Sequence, residues 1–429
     1  MSEAENPPRI VPQPWMVEPA TRSVLEAIAS GGAEARFVGG SVRDALIGRP
    51  IGDIDIATTA PPERMIELLE KRGIKVVPTG LAHGTVTAIT GVPARHFEIT
   101  TLRRDVETYG RRARVAFDAD WAADGARRDF TINAIFLDPD GRIHDPVGGL
   151  ADLQAHRVRF VGDPATRIAE DVLRILRYYR FEARFGMGMG DAQARAACRA
   201  AAHLLPTLSA ERVAQEIVKL FETRNPVPAL QMMLEDGVLA VILHEAHRLD
   251  RLRQMIAIEP QPDPMRRLAA LIEVDATGAG ALAERLHFPN AWRDRLQGLA
   301  EPSPFDPHGD TQAQRRALYH LGPERYRDLA LLLADEGAMS PDRLAALLAL
   351  AGEWAPPTFP LAGRDVTALG VPPGPQVGRL LEAVHDWWEA GDFTADRNAC
   401  LTYLHGLALP SQRIAQKPQQ SGSRKRPQR

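Results

Sequence analysis

Cysteine is scarce in this sequence, whose 429 residues include only two, Cys198 and Cys400, far apart in the chain. Two distant thiols cannot build a disulfide framework or a cysteine metal cluster, so a reducing cytosol is the expected setting. Apolar runs long enough to span a bilayer are also lacking, and the first six residues are polar and acidic, unlike a secretory signal. These absences favour a cytoplasmic protein with no membrane partner.

A strong net charge is lacking too. The 52 basic and 55 acidic residues leave a formal charge of −3, so the bulk value does not mark a nucleic-acid-binding protein. Local charge distribution matters more than the sum. Nearly all of the positive residues are arginine, whose forked guanidinium suits phosphates and base edges. Nucleic-acid binding therefore has to be judged from individual motifs.

The pattern of apolar residues changes along the chain. Alternating or apolar runs at residues 35–38, 53–59, 74–78, 85–90 and 96–101 indicate strands, with helical segments between them. Helical periodicity dominates after about residue 150. With 45% apolar residues, the chain is long enough for two to four compact units. We predict a small mixed α/β domain on one sheet, followed by a helical region.

A glycine turn stands at the first strand-to-helix junction, Gly39-Gly40. Glycines there let the backbone turn sharply and approach a ligand closely. The N–H groups at the start of the helix, together with Arg43 one turn later, could bind a phosphate. Taken alone, a plain structural turn is the better interpretation.

Two carboxylates stand ten residues after Arg43, in the segment Asp53-Ile54-Asp55-Ile56. Alternation along a strand would place Asp53 and Asp55 on one face and the isoleucines in the core. Paired carboxylates are the oxygen ligands that Mg²⁺ shares with substrate phosphates. The alternative is two solvated aspartates, but aspartate is disfavoured in strands. We therefore favour a metal site.

A second motif places charge beside apolar anchors. Arg127 and Arg128 could neutralise a triphosphate, and Asp129 or Asn133 could bind a ribose hydroxyl. Ion pairing of the arginines with Asp124 and Asp129 would explain the charges equally well. Upstream, the segment from residue 103 to residue 114 is rich in arginine and shows little periodicity of apolar residues. This pattern predicts a mobile basic loop that could close over a substrate, and a merely solvated loop is the alternative.

A third motif occupies residues 167–180, which we predict to form one continuous helix. On that helix Asp171 and Arg174 would meet on one face, and Arg177 and Arg180 would extend the ridge. An Asp–Arg couple offers one acceptor and one donor arm, which can pair with the edge of a base. Ordinary ion pairs of Arg174 with Glu170 or Asp171 are the competing interpretation.

Together these motifs resemble class II CCA-adding tRNA nucleotidyltransferases and bacterial poly(A) polymerases. The agreement in order and spacing covers residues 35–216. It lies in Gly39-Gly40-x-Val42-Arg43-Asp44, Asp53-x-Asp55, Arg127-Arg128-Asp129-Phe130-Thr131-x-Asn133-Ala134, Asp145-Pro146-x-Gly148-Gly149, Glu170-Asp171-x-x-Arg174-x-x-Arg177 and Leu208-Ser209-Ala210-Glu211-Arg212.

The resemblance implies an α+β fold. Its N-terminal head would be a polymerase-β-like nucleotidyltransferase domain with a mixed five-stranded sheet, followed by an all-helical neck, body and tail. On this basis we expect a loose arm over residues 1–20, the head over 21–160, the neck with the base-recognition helix over 161–225, and an RNA-binding body and tail over 226–410. Residues 411–429 are expected to be a disordered basic end.

The resemblance also implies roles for individual residues. Asp53 and Asp55 would bind catalytic Mg²⁺ ions, and the nucleotide would contact Gly40, Arg43, Arg128, Asp129, Asp171, Arg174, Arg177 and Arg180. The implied reaction adds CCA to the 3′ end of tRNA from CTP and ATP by two-metal in-line attack, with release of pyrophosphate. No obligate protein partner is implied.

The sequence departs from the family in two places. A metal-dependent phosphohydrolase signature is lacking, because His385-Asp386 has no spaced partner histidines. The common Arg-His-Pro of the mobile loop is here Arg111-Arg112-Ala113. A poly(A) polymerase, an enzyme adding only C or only A, and a non-catalytic RNA-binding protein remain the alternatives. Intact Asp53 and Asp55 argue against the last of these.

Overall fold

The computed structural model describes residues 8–109, 112–117, 119–301, 305–334 and 339–413. They fall into two compact units, one ending at residue 297 and the other beginning at residue 298. Within the described ranges, none of the helices combines the length and apolarity that crossing a bilayer demands. The finer division at residues 160 and 225 stays a prediction.

The first unit begins with a sheet whose strand order is β3-β4-β5-β2-β1-β8-β9. Strands β2 and β5 run parallel, and the other recorded neighbours are antiparallel. Ile54 and Ile56 of β2 are buried against the core, as their alternation predicts. The strands are β1 Ala35–Val38, β2 Ile54–Thr58, β3 Lys75–Gly80, β4 Thr85–Thr90, β5 Arg95–Thr101, β6 Arg103–Tyr109, β7 Arg112–Phe117, β8 Phe136–Leu137 and β9 Ile143–His144.

The α+β class is confirmed, but the prediction of five strands is wrong, because the sheet has seven. The two additional strands, β8 and β9, have two residues each, which is too short to show any periodicity in sequence. The prediction of a mobile loop over residues 103–114 is also wrong, because β6 and β7 form a separate two-stranded antiparallel sheet there. The alternation of polar and apolar residues in β7 extends only from Arg112 to Val115 and fails at Ala116, so its strand signal is weak. Arg111 lies outside the described residues.

Six α-helices accompany the sheet: α1 Pro14–Val17, α2 Pro19–Ala29, α3 Gly40–Leu46, α4 Pro62–Lys71, α5 Trp121–Ala126 and α6 Gly149–Gln154, with 3₁₀ turns at Leu81–His83 and Thr131–Asn133. The arm expected over residues 1–20 is therefore ordered from Pro14 onwards. Trp15 and Met16 are buried, and the Trp15 ring packs edge-on against Phe37 at 4.7 Å. Two of the prolines that suggested a loose arm, Pro14 and Pro19, stand at first-turn positions, where proline favours a helix. Residues 1–7 lie outside the described ranges.

The rest of the first unit is helical: α7 Pro164–Glu170, α8 Arg174–Phe185, α9 Ala192–Ala201, a 3₁₀ segment Ala202–Thr207, α10 Ala210–Phe221, α11 Val227–Glu235, α12 Val238–Ile242, α13 Leu249–Ile258, α14 Pro264–Leu271, α15 Ala276–Arg285 and α16 Asn290–Ala300. The prediction of one continuous helix over residues 167–180 is wrong. Asp171 is extended (φ −153°, ψ 107°) and separates α7 from α8. Its side chain accepts the backbone N–H of Leu173, a local bond that competes with the helical ladder.

The second unit consists of α17 Thr311–Ala334, α18 Pro341–Glu353, α19 Gly363–Thr367, α20 Pro375–Ala390 and α21 Arg397–Arg413. Helix α17 is kinked at Gly322 (φ 73°), which precedes a proline. Trp388 and Leu404 belong to the buried core of this unit. Residues 411–413, expected to be disordered, are the end of α21, and residues 414–429 lie outside the described ranges.

Candidate active site

Asp55 lies on β2 directly beneath the glycine turn. The backbone N–H of Gly40 donates to its carboxylate. A Cβ at Gly39 would stand 3.1 Å from Asp55 Oδ2, and Gly39 itself has φ +72°. Both the positive φ and the close approach require glycine at this position. The turn and the carboxylate are therefore one structural feature, as the motif spacing predicted.

The surroundings of Asp55 disfavour its ionised form. Burial is the largest cause that raises its pKa to about 6, and the charges of Glu98 and Asp53 raise it further. The Gly40 N–H and the charge of Arg128 lower the pKa but only partly compensate. Asp53 precedes β2 in an exposed bend, and its effect on Asp55 shows that the two lie close enough to interact. A divalent cation at this point would relieve the repulsion.

Glu98 is a site residue that sequence reasoning missed. In the parallel pairing of β2 with β5 it is the register partner of Asp55, so the two side chains share one face of the sheet. The residues are 43 positions apart in sequence, and only the strand pairing brings them together. Its one sequence signal was an acidic residue in a strand between the core positions Phe97 and Ile99. Glu98 and Asp55 therefore share this face, and both Glu98 and Asp53 lie near enough to raise the pKa of Asp55.

Arg43 is buried rather than open to solvent. Its guanidinium donates to Asp44 and to Asn133 Oδ1 (2.6 Å), and it lies 4.1 Å from the centroid of the Phe185 ring. Burial lowers its pKa, and Asp44 opposes that effect. Its Nη2 still lies only 3.6 Å from where a Cβ at Gly40 would stand. The residue is fixed beside the turn, with most of its donors already used.

The arginine pair after the sheet is held by Asp124, the ion pairing that the sequence left as an alternative. Arg127 and Arg128 both donate to this fully buried carboxylate, at 2.6 and 2.9 Å. Burial would raise the pKa of Asp124, but the two arginines outweigh it and lower the pKa. Arg128 Nη1 also lies 3.9 Å from a Cβ at Gly39. The structure thus brings Arg128 to the carboxylate site while Asp124 holds it in place.

Asp129 joins the end of the sheet to helix α8. It accepts two bonds from Arg177, one from Asn133 Nδ2 (3.0 Å) and one from the backbone of Phe130. Burial alone would raise its pKa, but Arg177 and these hydrogen bonds lower the pKa to about 2. Arg180, one turn further along α8, pairs with the buried Glu216 of α10 at 2.5 Å. These residues form an ion-paired junction between the sheet and the helices.

The predicted Asp171–Arg174 couple is not formed. Because the helix is interrupted at Asp171, the two side chains turn to different partners. Asp171 Oδ2 accepts from Arg212 of α10 at 2.7 Å, whereas Arg174 donates to the Arg167 carbonyl and to Glu170. The ion pair between Glu170 and Arg174, which was the competing interpretation, is therefore the contact that forms. Asp171 lines a cavity of about 320 Å³ together with residues of the 207–212 segment.

Among the described residues, no group of three or more His, Cys, Asp or Glu side chains has a geometry that could hold a metal ion by itself. An ion bound by Asp53 and Asp55 would need other ligands to complete its coordination. Mg²⁺ commonly takes them from water and from the phosphates of a substrate. The donor set is therefore suited to a metal that arrives with a nucleotide.

Comparisons with known proteins converge on one family. Residues 35–159 match the family described as Poly A polymerase head domain, and residues 191–249 match one described as "Probable RNA and SrmB- binding site of polymerase A". The chain is 33% identical over 388 residues to CCA tRNA nucleotidyltransferase 1, mitochondrial, of Danio rerio, covering 86% of this chain and 87% of the relative. It is also 33% identical to a CCA-adding enzyme of Lacticaseibacillus paracasei, covering 86% of this chain and 91% of the relative.

The fold resembles the crystal structure of a Bacillus stearothermophilus CCA-adding enzyme in complex with CTP. The TM-score is 0.76 at 28% identity, and the match covers 93% of this chain and all of the other.

Proposed function

Because this chain belongs to the family of CCA-adding tRNA nucleotidyltransferases, we propose that it adds C, C and A to the 3′ end of tRNA from CTP and ATP, releasing pyrophosphate. The observation that carries the proposal is the half-buried Asp55, whose pKa is raised to about 6, beneath the Gly39-Gly40 turn with Arg128 beside it. That arrangement suits a metal and a triphosphate at one point.

Asp53 and Asp55 would hold Mg²⁺. The fit rests on the donor set: the oxygens are carboxylate, one of them lies in a site that raises its pKa to about 6, and Glu98 adds negative charge. When bound, Mg²⁺ would activate the RNA 3′-hydroxyl for attack on the nucleotide α-phosphate and offset charge on the leaving pyrophosphate. The protein's own task here is to hold the carboxylates close together, so that a cation bound between them offsets the repulsion that raises the pKa of Asp55.

The glycine turn and the arginines would orient the triphosphate. The backbone at Gly40 can come close to a phosphate because no side chain stands in the way. Arg43 and Arg128 would supply positive charge from either side, both held by buried carboxylates so that they need little reorganisation. Asp129, fixed by Arg177, would accept from the ribose, and Arg180 would support α8 through Glu216.

Base selection would lie at Asp171 and Arg174. Each of the two residues has a partner that a base could replace. Asp171 pairs with Arg212, and Arg174 pairs with Glu170. A base offering complementary donors and acceptors would replace those partners at both residues. On this proposal the interruption between α7 and α8 frees Asp171 from the helix so that its carboxylate faces the cavity.

Incubation with tRNA lacking its 3′ CCA, with labelled CTP and ATP given separately and together, tests the function. We expect two C from CTP alone and CCA from both nucleotides. Long A tracts on many RNAs would identify a poly(A) polymerase, and incorporation of one nucleotide only would identify a C-only or A-only enzyme. No incorporation with intact RNA binding would identify a non-catalytic RNA-binding protein and contradict the proposal.

The cytoplasm is the proposed compartment, in keeping with two free, buried cysteines. The relatives from Danio rerio and Mus musculus are named as mitochondrial proteins. Imaging of the tagged chain in its own cells decides between the two compartments, since enrichment in an organelle would contradict the cytoplasmic proposal.

A further inference from the structure

A strongly basic cavity of about 490 Å³ lies in the first unit, beside the carboxylate site but not part of it. Five cations line it, and Glu222 is the one carboxylate among its lining residues. The cations come from three parts of the chain that the fold brings together: Arg49, Arg180, Arg184, Lys219 and Arg224.

Most of this positive charge is poorly compensated. Lys219 and Arg224 form no ion pair with any residue that the structure describes. Arg49 donates to the backbone carbonyl of Arg184 rather than to a carboxylate, and Arg184 reaches Asp44 only at 3.3 Å. Like charges held around one cavity repel each other, so the arrangement favours an anion that bridges them.

The cavity is distinct from the reacting centre. None of Asp53, Asp55 and Arg128 lines it, and Asp171 lines a different cavity. Helix α8 separates the two regions: Arg177 binds Asp129, whereas Arg180 and Arg184, further along the helix, reach the basic cavity. The connection between them is Asp44, which pairs with Arg43 on one side and Arg184 on the other.

A second cavity, of about 400 Å³, lies on the other side of the same turn of α10 and shares Lys219 and Glu222 with the basic one. One part of its lining is apolar, with Ala214 and Val218 of α10 and the rings of Phe288 and Trp292. The rest is polar or charged and includes Glu211, Gln215 and His287. The two rings meet edge to face with centroids 5.5 Å apart. Trp292 is only half-buried, so part of an aromatic face stays available to a ligand.

A cation-lined cavity that continues into an aromatic one matches the chemistry of a nucleic-acid strand, in which charged phosphates alternate with flat bases. A protein helix docking on α10 would need an apolar stripe instead, and the five cations do not provide one. Residues 191–249, which include Lys219, Glu222 and Arg224, match the family region whose description names RNA binding.

We infer that the two cavities form one track for the RNA strand upstream of its reacting 3′ end. Backbone phosphates occupy the basic cavity, a base stacks against Trp292, and Glu222 accepts a ribose hydroxyl between them. The inference rests on the proposed function, because it takes RNA as the substrate, and it adds the residues that hold the RNA away from the chemistry.

The first test measures the affinity of the full-length protein for tRNA lacking CCA, by fluorescence anisotropy at several salt concentrations. The double variant Lys219→Ala/Arg224→Ala should bind about 10- to 100-fold more weakly. The slope of log K against log salt should become shallower by about 2, since each phosphate contact contributes roughly 0.9. The matched control Arg22→Ala/Lys75→Ala removes the same charge from exposed positions outside both cavities and should leave affinity and slope close to wild type.

The second test separates stacking from charge. Trp292→Ala should weaken RNA binding by about 5- to 100-fold without changing the salt slope, because stacking releases no counterions. Trp292→Phe keeps an aromatic face and should recover most of the affinity. The KM for CTP and ATP at saturating RNA should not change in any of these variants.

Wild-type RNA affinity in both the double variant and Trp292→Ala would overturn the inference and leave a protein partner as the occupant of this surface. Weakened CTP binding in the double variant would also overturn it, because the cavity would then belong to the nucleotide site. Both measurements use binding alone, so a wild-type protein that binds RNA but adds no nucleotide would refute the proposed function and not this track.

Discussion

Two aspartates, both largely removed from solvent, differ sharply in how they are charged. On the central strand β2, burial and the neighbouring Glu98 raise the pKa of Asp55 to about 6. At the junction with α8, burial would do the same to Asp129, but Arg177 and two further donors lower its pKa to about 2. The protein supplies Asp129 with an arginine that outweighs its burial, whereas the charge of Arg128 near Asp55 only partly compensates.

The difference between the two carboxylates indicates which region we expect to take part in the reaction and which region stabilises the fold. At the junction, each carboxylate already has its arginine, as Asp124 and Glu216 also show, so the charges there are mainly structural. On β2, by contrast, no arginine among the described residues fully offsets the burial of Asp55, which suits this carboxylate to a divalent cation. Removing a charge should therefore have opposite consequences in the two regions.

Removal of the Asp55 carboxylate should have the largest effect on activity. We expect Asp55→Ala to lower the rate of nucleotide addition by at least about 10³-fold, because the metal loses a ligand that the protein cannot replace. The measurement is incorporation of labelled CTP with Mg²⁺. Glu63→Gln, an exposed change on α4, is the control and should keep the wild-type rate. A wild-type rate in Asp55→Ala would refute the metal assignment.

Removal of the Asp129 carboxylate should instead affect the fold. Asp129→Ala leaves Arg177 without its main partner, and we expect a loss of about 2–4 kcal/mol in the free energy of unfolding, measured in urea. Asp140→Asn breaks the exposed Arg9–Asp140 pair and should change the free energy of unfolding far less. Equal losses in the two variants would remove the distinction between junction and surface.

Base selection should depend on Asp171 and Arg174, the two residues that can exchange their partners. Replacing both with alanine should reduce the preference for CTP and ATP over UTP and GTP by about 10- to 100-fold, with a smaller effect on triphosphate affinity. Arg212→Ala, which releases Asp171 without removing it, should have a weaker effect on the same ratio. An equal loss for all four nucleotides would show that these residues do not select bases.

The smallest effect should be a gain in stability. Without metal, the folded state holds the proton of Asp55 more tightly than the unfolded chain, whose value is near 3.8. Stability conferred by that proton is complete below about pH 4 and is lost as the pH rises to about 6. Asp55→Asn should therefore be about 1–2 kcal/mol more stable than wild type at pH 7 in EDTA, and lose this advantage near pH 4. A less stable variant at pH 7 would contradict the raised pKa of Asp55.

Local features of the site were readable from sequence, and features that depend on pairing were not. The glycine turn joins β1 to α3, and Asp55 lies on β2, the next element of the chain, which pairs with β1. Elements so close in sequence made their proximity predictable. Glu98 joins them only through the β2–β5 register. The geometry at Asp171 was mispredicted because a partner 41 residues away, Arg212, and the bond to Leu173 outweigh helix propensity. The α+β class survived these errors because the change from strand to helical periodicity extends over many residues.

The parallel pairing of β2 with β5 also fixes when the site can exist during synthesis. Asp55 and Glu98 become neighbours only after α4, β3 and β4, which lie between them in the chain, have been made and folded. Asp129 acquires Arg177 later still, and Arg180 acquires Glu216 only after α10 has been made. These separations make the site's contacts slow to form. A nascent chain that ends before β5 carries both metal-binding aspartates but lacks the strand that completes their setting.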